Sequence, residues 1–422
     1  MAEKRLATEG VDRVDWLESG LREVLLNSGA QIVAALLHDP ALRIPGDQRR
    51  SGEKTLGRQT RRVHTLLGPI ELSRRSYYDP TAHCCRYPLD EALQLMEGFT
   101  PAAAKLVCRS GAREPYQIAC EDLSAYAGIV VDARRIQRLL QRIGPAFKDV
   151  IDEHNEPSGP PVPRMYISAD GTGIPLRRQE LKGRKGRQPD GSAKTHEVKI
   201  GCIFTQHPKQ GEKPFRDLDS TSYIGTMHRA APFADMLLLE ARRRNMGAAE
   251  ETVFISDGAK WLKEIARTRF PQATRILDFY HAAEHLHELV NTLHCPGSAE
   301  ARRRAKKWTR WLLRDKVDAI ITEATKLASQ DMAEDVHRQL DYFRENRMAM
   351  MYGTFRKRAL FIGSGVVEAG CKGVIGKRLK QSGMFWSELG ADNVLAIRSA
   401  LYSQRLDALW QQNIATKVLK AA

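Results

Sequence analysis

The most constraining feature of this chain is a strand-like run that ends in an acid followed by glycine, and it occurs twice. Met165-Tyr166-Ile167-Ser168-Ala169-Asp170-Gly171-Thr172-Gly173 alternates apolar and small residues until Asp-Gly and Thr-Gly punctuate it. Thr252-Val253-Phe254-Ile255-Ser256-Asp257-Gly258 repeats the pattern, its aspartate 87 residues after the first. A carboxylate fixed at the end of a core strand is rigid and faces a cleft, where a divalent cation can be held.

The surrounding elements follow in an order that limits the architecture. Strands are predicted at His196–Phe204 and near Ser222–Gly225, and an amphipathic helix over Phe233–Asn245. After the strand ending at Asp257 come a helix through Trp261, Leu262, Ile265 and Ala266, a strand over Thr274–His281, and a helix from Ala282. Three strands, then alternating helices and strands, give a mixed α/β sheet covered by helices. Residues 297–352 break this rhythm with helical patterns rich in Arg and Lys, and read as a helical insertion. Gly363-Ser364-Gly365 then opens a helix carrying Glu368, with Lys372, Lys377, Arg378 and Lys380 further along, and a last helix runs from about Ala391 to Trp410.

Upstream, residues 11–39 read as helix, and residues 46–64 as a polar segment with Arg49, Arg50, Lys54, Arg58, Arg61 and Arg62: either a solvated loop or an arm that contacts phosphates. Val63–Tyr78 alternates and turns at Gly68-Pro69, as a hairpin does, and His83-Cys84-Cys85 follows. From Gln117 to Gly144 a helix ending near Ala127, a turn at Gly128 and a helix behind Asp132 outline a helix-turn-helix. Its second helix has an apolar face of Ile136, Leu139, Leu140 and Ile143, with Arg134, Arg135 and Arg138 elsewhere. The Pro- and Gly-rich segment 156–163 is the clearest boundary. The expected organisation is a basic, mainly helical DNA-binding region over 1–155, a sheet core over 160–296, the insertion over 297–355 and the rest of the core over 356–422.

Charge points to a polyanionic partner. The 422 residues carry a net charge of +15, an excess that attracts nucleic acid. A dense basic stretch lies just beyond Asp170: Arg177, Arg178, Lys182, Arg184, Lys185 and Arg187, read as a phosphate clamp. Seven scattered cysteines fit reduced thiols better than a disulfide framework, and no run is apolar enough to span a bilayer. The expectation is a cytoplasmic protein, associated with the nucleoid when bound to DNA.

Two strand-end aspartates and a helix glutamate are the hard oxygen donors that Mg²⁺ takes, and two such ions serve phosphoryl transfer. At this point the sequence resembles a known family. The segments Ile167–Pro175, Phe254–Ala259, Asp278-Phe279-Tyr280-His281-Ala282-Ala283-Glu284-His285 and Gly363–Lys372 are similar to those of bacterial insertion-sequence transposases of the RNase H-like Asp-Asp-Glu class, Kra-type group, related to Mutator-like transposases. Pro45-Gly46-Asp47, Leu66–Ile70 and Tyr87-Pro88-Leu89-Asp90 fit as well.

The resemblance implies an RNase H-like fold, Asp170, Asp257 and Glu368 as a triad for two Mg²⁺ (or Mn²⁺) ions, and Asp278 and His281 as an Asp-x-x-His signature near the active site. It implies DNA cleavage at the ends of the element, attack of the freed 3′ hydroxyls on target DNA, and at least a homodimer when two ends are brought together. Arg134, Arg135, Arg138, Arg177, Arg178, Lys182, Arg184, Lys185, Arg187 and Lys372 are the expected contacts to double-stranded DNA, both inverted repeats and target. Where relatives carry Cys-x-x-Cys before the Pro-Leu-Asp segment, this chain has His83-Cys84-Cys85, and adjacent cysteines do not readily share one ion. Three rivals remain: a DNA-binding protein of the same fold without catalysis, a metal-dependent nuclease, and a zinc peptidase suggested by His281-x-x-Glu284-His285.

Overall fold

The computed structural model describes residues 14–39, 41, 48–153, 157, 161–181, 195–206, 214–328, 333–412 and 418, with backbone alone at 149–153 and 333. The chain forms two compact units: Met1–Val150 with Leu406–Ala422, and Ile151–Arg405. No helix among the described residues is long and apolar enough to cross a membrane.

The first unit opens with α1 (Val14–Leu37), followed by a three-stranded antiparallel sheet of β1 (Lys54–Thr65), β2 (Gly68–Asp79) and β3 (Cys84–Arg86). Much of the basic segment expected as loop or arm is therefore the outer half of a long ribbon. Lys54–Thr60 are exposed yet paired, because their main-chain partners lie on β2, from Lys54 opposite Tyr78 down to Thr65 opposite Gly68. The hairpin turns at Leu66-Leu67, two residues earlier than Gly68-Pro69. Thr65 Oγ1 accepts from Leu67 N and donates to the Gly68 carbonyl, and Gly68 sits at φ +127°, where a side chain would strain. Ala30 of α1, Val63, Ile70, Leu72, Leu89 and Leu95 form the core beneath this ribbon.

A short helix α2 (Pro88–Ala92) leads to α3 (Pro101–Arg113), α4 (Tyr116–Ala127) and α5 (Ala133–Glu153). Gly128 caps α4 in the left-handed conformation, Asp132 Oδ1 accepts from Arg135 N at 2.9 Å, and Ile136, Leu139, Leu140 and Ile143 are fully buried. A helix at Leu406–Gln411 belongs to this unit and not, as expected, to the sheet core. Leu406 and Leu409 are buried, Asp407 pairs with Lys105 at 2.9 Å, and Trp410 meets the Phe147 ring.

His64 ties the ribbon to the helices. Its Nε2 lies 3.0 Å from Arg135 Nη1, and a guanidinium only donates, so the imidazole accepts there and is neutral. Burial, then the charges of Arg135 and Arg62, push it down to about 4 from an ordinary 6.5. The unfolded chain binds this proton sooner than the folded one. The contribution to stability is present above pH 6.5 and disappears as pH falls through about 4, by at most about 3 kcal/mol. Urea unfolding of wild type and His64→Gln at about pH 7 and about pH 4.5 checks this: the variant should lose less on acidification, and equal losses would remove His64 from the account.

The second unit holds a five-stranded sheet in the order β6-β5-β4-β7-β8. Its strands are β4 (Arg164–Pro175), β5 (Thr195–Gln206), β6 (Ser222–Thr226), β7 (Glu251–Ser256) and β8 (Thr274–Leu277). β5 runs antiparallel to β4 and β6, whereas β4, β7 and β8 are parallel. The helices α6 (Ala230–Arg243) and α7 (Lys260–Arg269) make the connections. Met165, Ile167 and Ala169 of β4 join Phe233, Leu237, Phe254, Leu262 and Ile265 in one core. Strand alternation then sends Tyr166, Ser168 and Asp170 to the opposite face.

After β8 come α8 (Phe279–Leu293), α9 (Ala299–Leu312), α10 (Val317–Leu327), α11 (Ala333–Asn346) and α12 (Tyr352–Lys357), so the described elements of the expected insertion are all helical. A short helix α13 (Gly365–Gly370) passes into a π turn over Cys371–Gly376, and α14 (Glu388–Tyr402) completes the unit. The fully buried Arg398 of α14 donates to the carbonyls of Gly373 and Val374, both at 2.5 Å, and so holds the π turn.

Candidate active site at the carboxyl edge of the sheet

The ladder between β4 and β7 closes at Ser168 opposite Ile255, where Ser168 Oγ also donates to the Ile255 carbonyl at 2.8 Å. Two residues further along each chain are Asp170 and Asp257. Their separation of 87 equals the register offset of the ladder, so the two aspartates stand at the same level on neighbouring parallel strands. Between β7 and β8, Ser256 pairs with Leu277, which brings Asp278 to the same level again. Three acids therefore come to the carboxyl edge of β4, β7 and β8.

Asp170 does not end its strand as expected. β4 continues to Pro175 against β5, with Gly171 opposite Lys199 and Gly173 opposite Glu197. The glycines there give clearance to β5 and do not break the strand. A Cβ on Gly171 would collide with Glu197 Oε1, and one on Gly173 would lie 2.8 Å from Thr195 Oγ1. Asp257 does follow the last residue of β7, and its Oδ1 accepts from Ala259 N at 2.8 Å, a turn that lets Gly258 take φ +89°.

Asp278 has a different environment from the other two. It is fully buried and caps α8 by accepting from His281 N at 2.9 Å, while its other oxygen accepts from Ser364 N at 2.5 Å. The strand expected to run on to His281 stops at Leu277 because Asp278 is the N-cap of the helix. With both oxygens committed to amides, Asp278 is a staple between β8 and the loop before α13. Gly363 permits this approach, since a Cβ there would lie 3.2 Å from the Tyr280 ring and 3.6 Å from Asp278 Oδ2. His281 Nδ1 lies 3.2 Å from Asp278 Oδ1. Burial opposes charge on this imidazole, but Asp278, then Asp257 and Glu284, outweigh burial and hold it above its ordinary value.

Glu368 sits half-buried on α13, and its Oε1 accepts from Ser364 Oγ at 3.0 Å. One turn later Cys371 donates its thiol to Asp170 Oδ2 at 3.1 Å, and Asp170 Oδ1 takes its own neighbour Gly171 N at 2.6 Å. Burial and the Asp170 carboxylate push this thiol well up, which keeps it a neutral donor. The segment 364–371 thus touches the edge at both ends, Ser364 on Asp278 and Cys371 on Asp170.

Asp170 and Asp257 fit a divalent ion as donors: both are hard carboxylates, half-buried, at one level of one edge. The third corner is not assembled. Among the described residues no three His, Cys, Asp or Glu side chains are grouped so as to hold a metal ion. Glu368 is engaged by Ser364, and an oxygen of Asp170 by Cys371. For the zinc-peptidase pattern, His285 Nδ1 turns to Gln339 Oε1 at 2.9 Å with its ring 3.8 Å from Tyr342, while His281 turns to Asp278. Cys84 and Cys85, consecutive on β3 and both exposed, point to opposite faces of that strand.

Basic residues border the edge. Lys380 donates to Thr172 Oγ1, on the Asp170 side of β4, and Arg177, Arg178 and Lys372 are exposed. Arg378, by contrast, is buried over the Trp386 ring. Lys182, Arg184, Lys185 and Arg187 lie outside the described residues. In the first unit Arg134 and Arg138 are exposed on α5, but Arg135, expected with them on the DNA, is used internally. It donates to the Glu97 carbonyl at 2.8 and 2.9 Å and lies over the Phe99 ring. Its position one residue after the exposed Arg134 turns it toward the ribbon.

Two residues at this edge have no signature in the sequence. Cys371 carries no pattern of its own, and its partner is 201 residues away. Tyr342 of α11 packs above Gly258, which has no Cβ to fill that space, and its hydroxyl has no hydrogen-bond partner among the described residues. Burial first, then Asp257 and Asp278, raise this phenol, so it stays protonated beside the aspartates.

Comparison with known proteins adds little. No family model matches the chain, and no curated protein matches it. Among solved structures, the Drosophila P element transposase strand transfer complex is similar over 75% of this chain and 82% of that chain, at 10% identity and a TM-score of 0.25. At that level the likeness carries no structural argument.

The two arginine sets in α5 separate by experiment. Neutralising Arg134 and Arg138 should lower the salt slope of duplex binding by about 0.9 for each phosphate that is no longer neutralised. The melting temperature should not move. Arg135→Ala should destabilise the unit by roughly 2 kcal/mol, because buried acceptors are left without their donor. Duplex titrations at several salt concentrations, beside thermal melts, read both. An unchanged slope for Arg134 and Arg138 would take α5 off the DNA.

Proposed function

We propose that the chain is a DNA transposase of the RNase H-like Asp-Asp-Glu class, acting by metal-dependent phosphoryl transfer on double-stranded DNA. The observation that carries the reading is the coincidence of Asp170 and Asp257 at one level of two adjacent parallel strands. Support also comes from the 3-2-1-4-5 strand order with only the second strand reversed, and from the net charge of +15. In this reading Asp170 and Asp257 hold the metal, and Glu368 joins them once it leaves Ser364. Two bound Mg²⁺ or Mn²⁺ ions would supply charge neutralisation to the attacking and leaving oxygens of an in-line displacement.

The chain's own residues have separable tasks. The segment 364–371 brings the glutamate toward the aspartates, Asp278 fixes one end of that segment, and Cys371 holds Asp170 in one rotamer. Lys380, Arg177, Arg178 and Lys372 would hold phosphates next to the scissile bond, and Arg134 and Arg138 would contact the inverted repeat. Joining two ends at once calls for at least two copies of the chain.

A second reading is a DNA-binding protein of this fold that no longer cuts. It is favoured by the thiol on Asp170 and the serine on Glu368. The deciding experiment incubates the purified chain with Mg²⁺ or Mn²⁺ and a duplex carrying the DNA that flanks its own reading frame. Nicks at the element ends with 3′ hydroxyl termini, followed by joint molecules with a target plasmid, are the expected products. Binding without nicking in either metal would favour the second reading; nicking without joint molecules would leave a nuclease.

A further inference from the structure

One residue beyond the Asp278 staple the second unit opens into a cavity of about 1030 Å³. Phe279, Tyr280 and Phe361 supply aromatic surface to it, and Arg314, Arg356 and Lys357 supply charge. Tyr280 is 66% exposed, an unusual state for a tyrosine in the first turn of a core helix. The three cations are exposed, and none forms an ion pair with another described residue. The one carboxylate in the wall is already engaged. Asp315, held at φ +60°, accepts from Gly353 N at 2.6 Å and from Thr354 N and Oγ1 at 2.9 and 2.8 Å, and so caps α12. That cap fixes the helix presenting Arg356 and Lys357. What remains is an aromatic surface with unopposed positive charge, next to a row of acids.

Flat aromatic faces beside phosphate-binding cations are how proteins take up single-stranded nucleotides, since every base has a π face and every nucleotide a phosphate. We propose that this cavity receives an unpaired nucleotide of the DNA strand processed at the aspartate edge. The inference rests on the transposase reading given above. Its physical content is that the duplex is splayed at the site: one nucleotide leaves the stack for Tyr280, and its phosphate is held by Arg356 and Lys357. Gly363 is shared by the cavity wall and the Asp278 staple, so a nucleotide seated here lies next to the segment that carries Glu368.

The test uses the full chain and two duplexes of one sequence, fully paired or with a few unpaired nucleotides at the element end, the last replaced by 2-aminopurine. Wild type should bind the splayed duplex about tenfold more tightly, as one base stacked on an aromatic ring gives, and quench the 2-aminopurine. Tyr280→Ala should lose the preference and the quenching yet bind the paired duplex as wild type does, while Tyr280→Phe keeps both. Arg356→Ala with Lys357→Ala should weaken splayed binding and leave paired binding unchanged. Equal affinity of wild type for the two duplexes, or a preference that survives Tyr280→Ala, overturns the proposal while the transposase reading stands. Quenching of free 2-aminopurine nucleotide without any preference for the splayed duplex would assign the cavity to a soluble nucleotide and overturn it equally. Failure to bind either duplex would remove the DNA reading together with this one.

Discussion

Asp170→Asn and Asp257→Asn should each reduce Mg²⁺-dependent cleavage of an element-end duplex by about a thousandfold or more, with affinity for the duplex changed by less than about twofold. An aspartate that grips a catalytic ion supports several kcal/mol of transition-state charge stabilisation, and each 1.36 kcal/mol is about a factor of ten in rate. Asparagine keeps the shape and one oxygen, so Asp170 can still accept from Cys371 or Gly171, and Asp257 can still turn the chain at Ala259. The fold should therefore survive, and the deficit should lie in chemistry. Glu368→Gln also keeps an oxygen for Ser364 Oγ and should lose cleavage to a similar extent. Quantitative gel assays of nicking, run beside binding isotherms in Ca²⁺, separate the two quantities. Cleavage within about tenfold of wild type in any of the three would take that residue out of the metal site.

Asp278→Ala should cost about 3–5 kcal/mol of stability. The side chain is fully buried and takes two backbone amides, His281 N and Ser364 N, neither of which would find water in its place. Each buried donor left without a partner costs about 1–3 kcal/mol, and a charged acceptor strengthens the bonds that disappear. The helix cap goes as well. The substitution also has an electrostatic signature that a mere packing defect lacks. His281 is now held above its ordinary value, so the attraction between the pair is present below that value and is lost as pH rises through the raised one. Without Asp278, burial has less to oppose it and the imidazole should titrate lower than in wild type. Imidazole titration by NMR and urea unfolding near pH 6 check the two halves. An unchanged midpoint together with an unchanged His281 titration would show that the staple does not hold the loop of Ser364.

The elements legible in the sequence are those in which local pattern and packing agree. Met165–Asp170 and Thr252–Asp257 alternate because one side of each strand meets the core of Phe233, Leu237 and Leu262, and the same alternation appears in the residues themselves. Gly128 and Asp132 mark the ends of their helices by their own chemistry. Misreadings arise where a residue serves something distant. Gly171 and Gly173 look like a turn, but their small size makes room for Glu197 and Thr195 across the ladder. Lys54–Arg62 look like a loop because no apolar face repeats there, yet a two-stranded ribbon with both faces in water needs none. Arg135 looks like its neighbours Arg134 and Arg138 until His64 and Glu97 are brought against it from 71 and 38 residues away. The spacing of the two aspartates is visible in the sequence, but not that it equals a register offset, since that requires knowing which strands pair.

The division of the chain has a consequence for its synthesis. The first unit is discontinuous: the helix at Leu406–Gln411, with its Asp407 contact to Lys105, is made only after the roughly 255 residues of Ile151–Arg405. At about 5–20 residues per second, some ten to fifty seconds pass on the ribosome between the exit of Val150 and that of Leu406. Throughout that interval the faces of α3 and α5 that later receive Leu406, Leu409 and Trp410 have no cover from this helix. The sheet unit can finish folding before the unit that was started first. A nascent chain stalled before Leu406 would therefore present an open basic unit, and translation through Gln411 acts as the step that closes it.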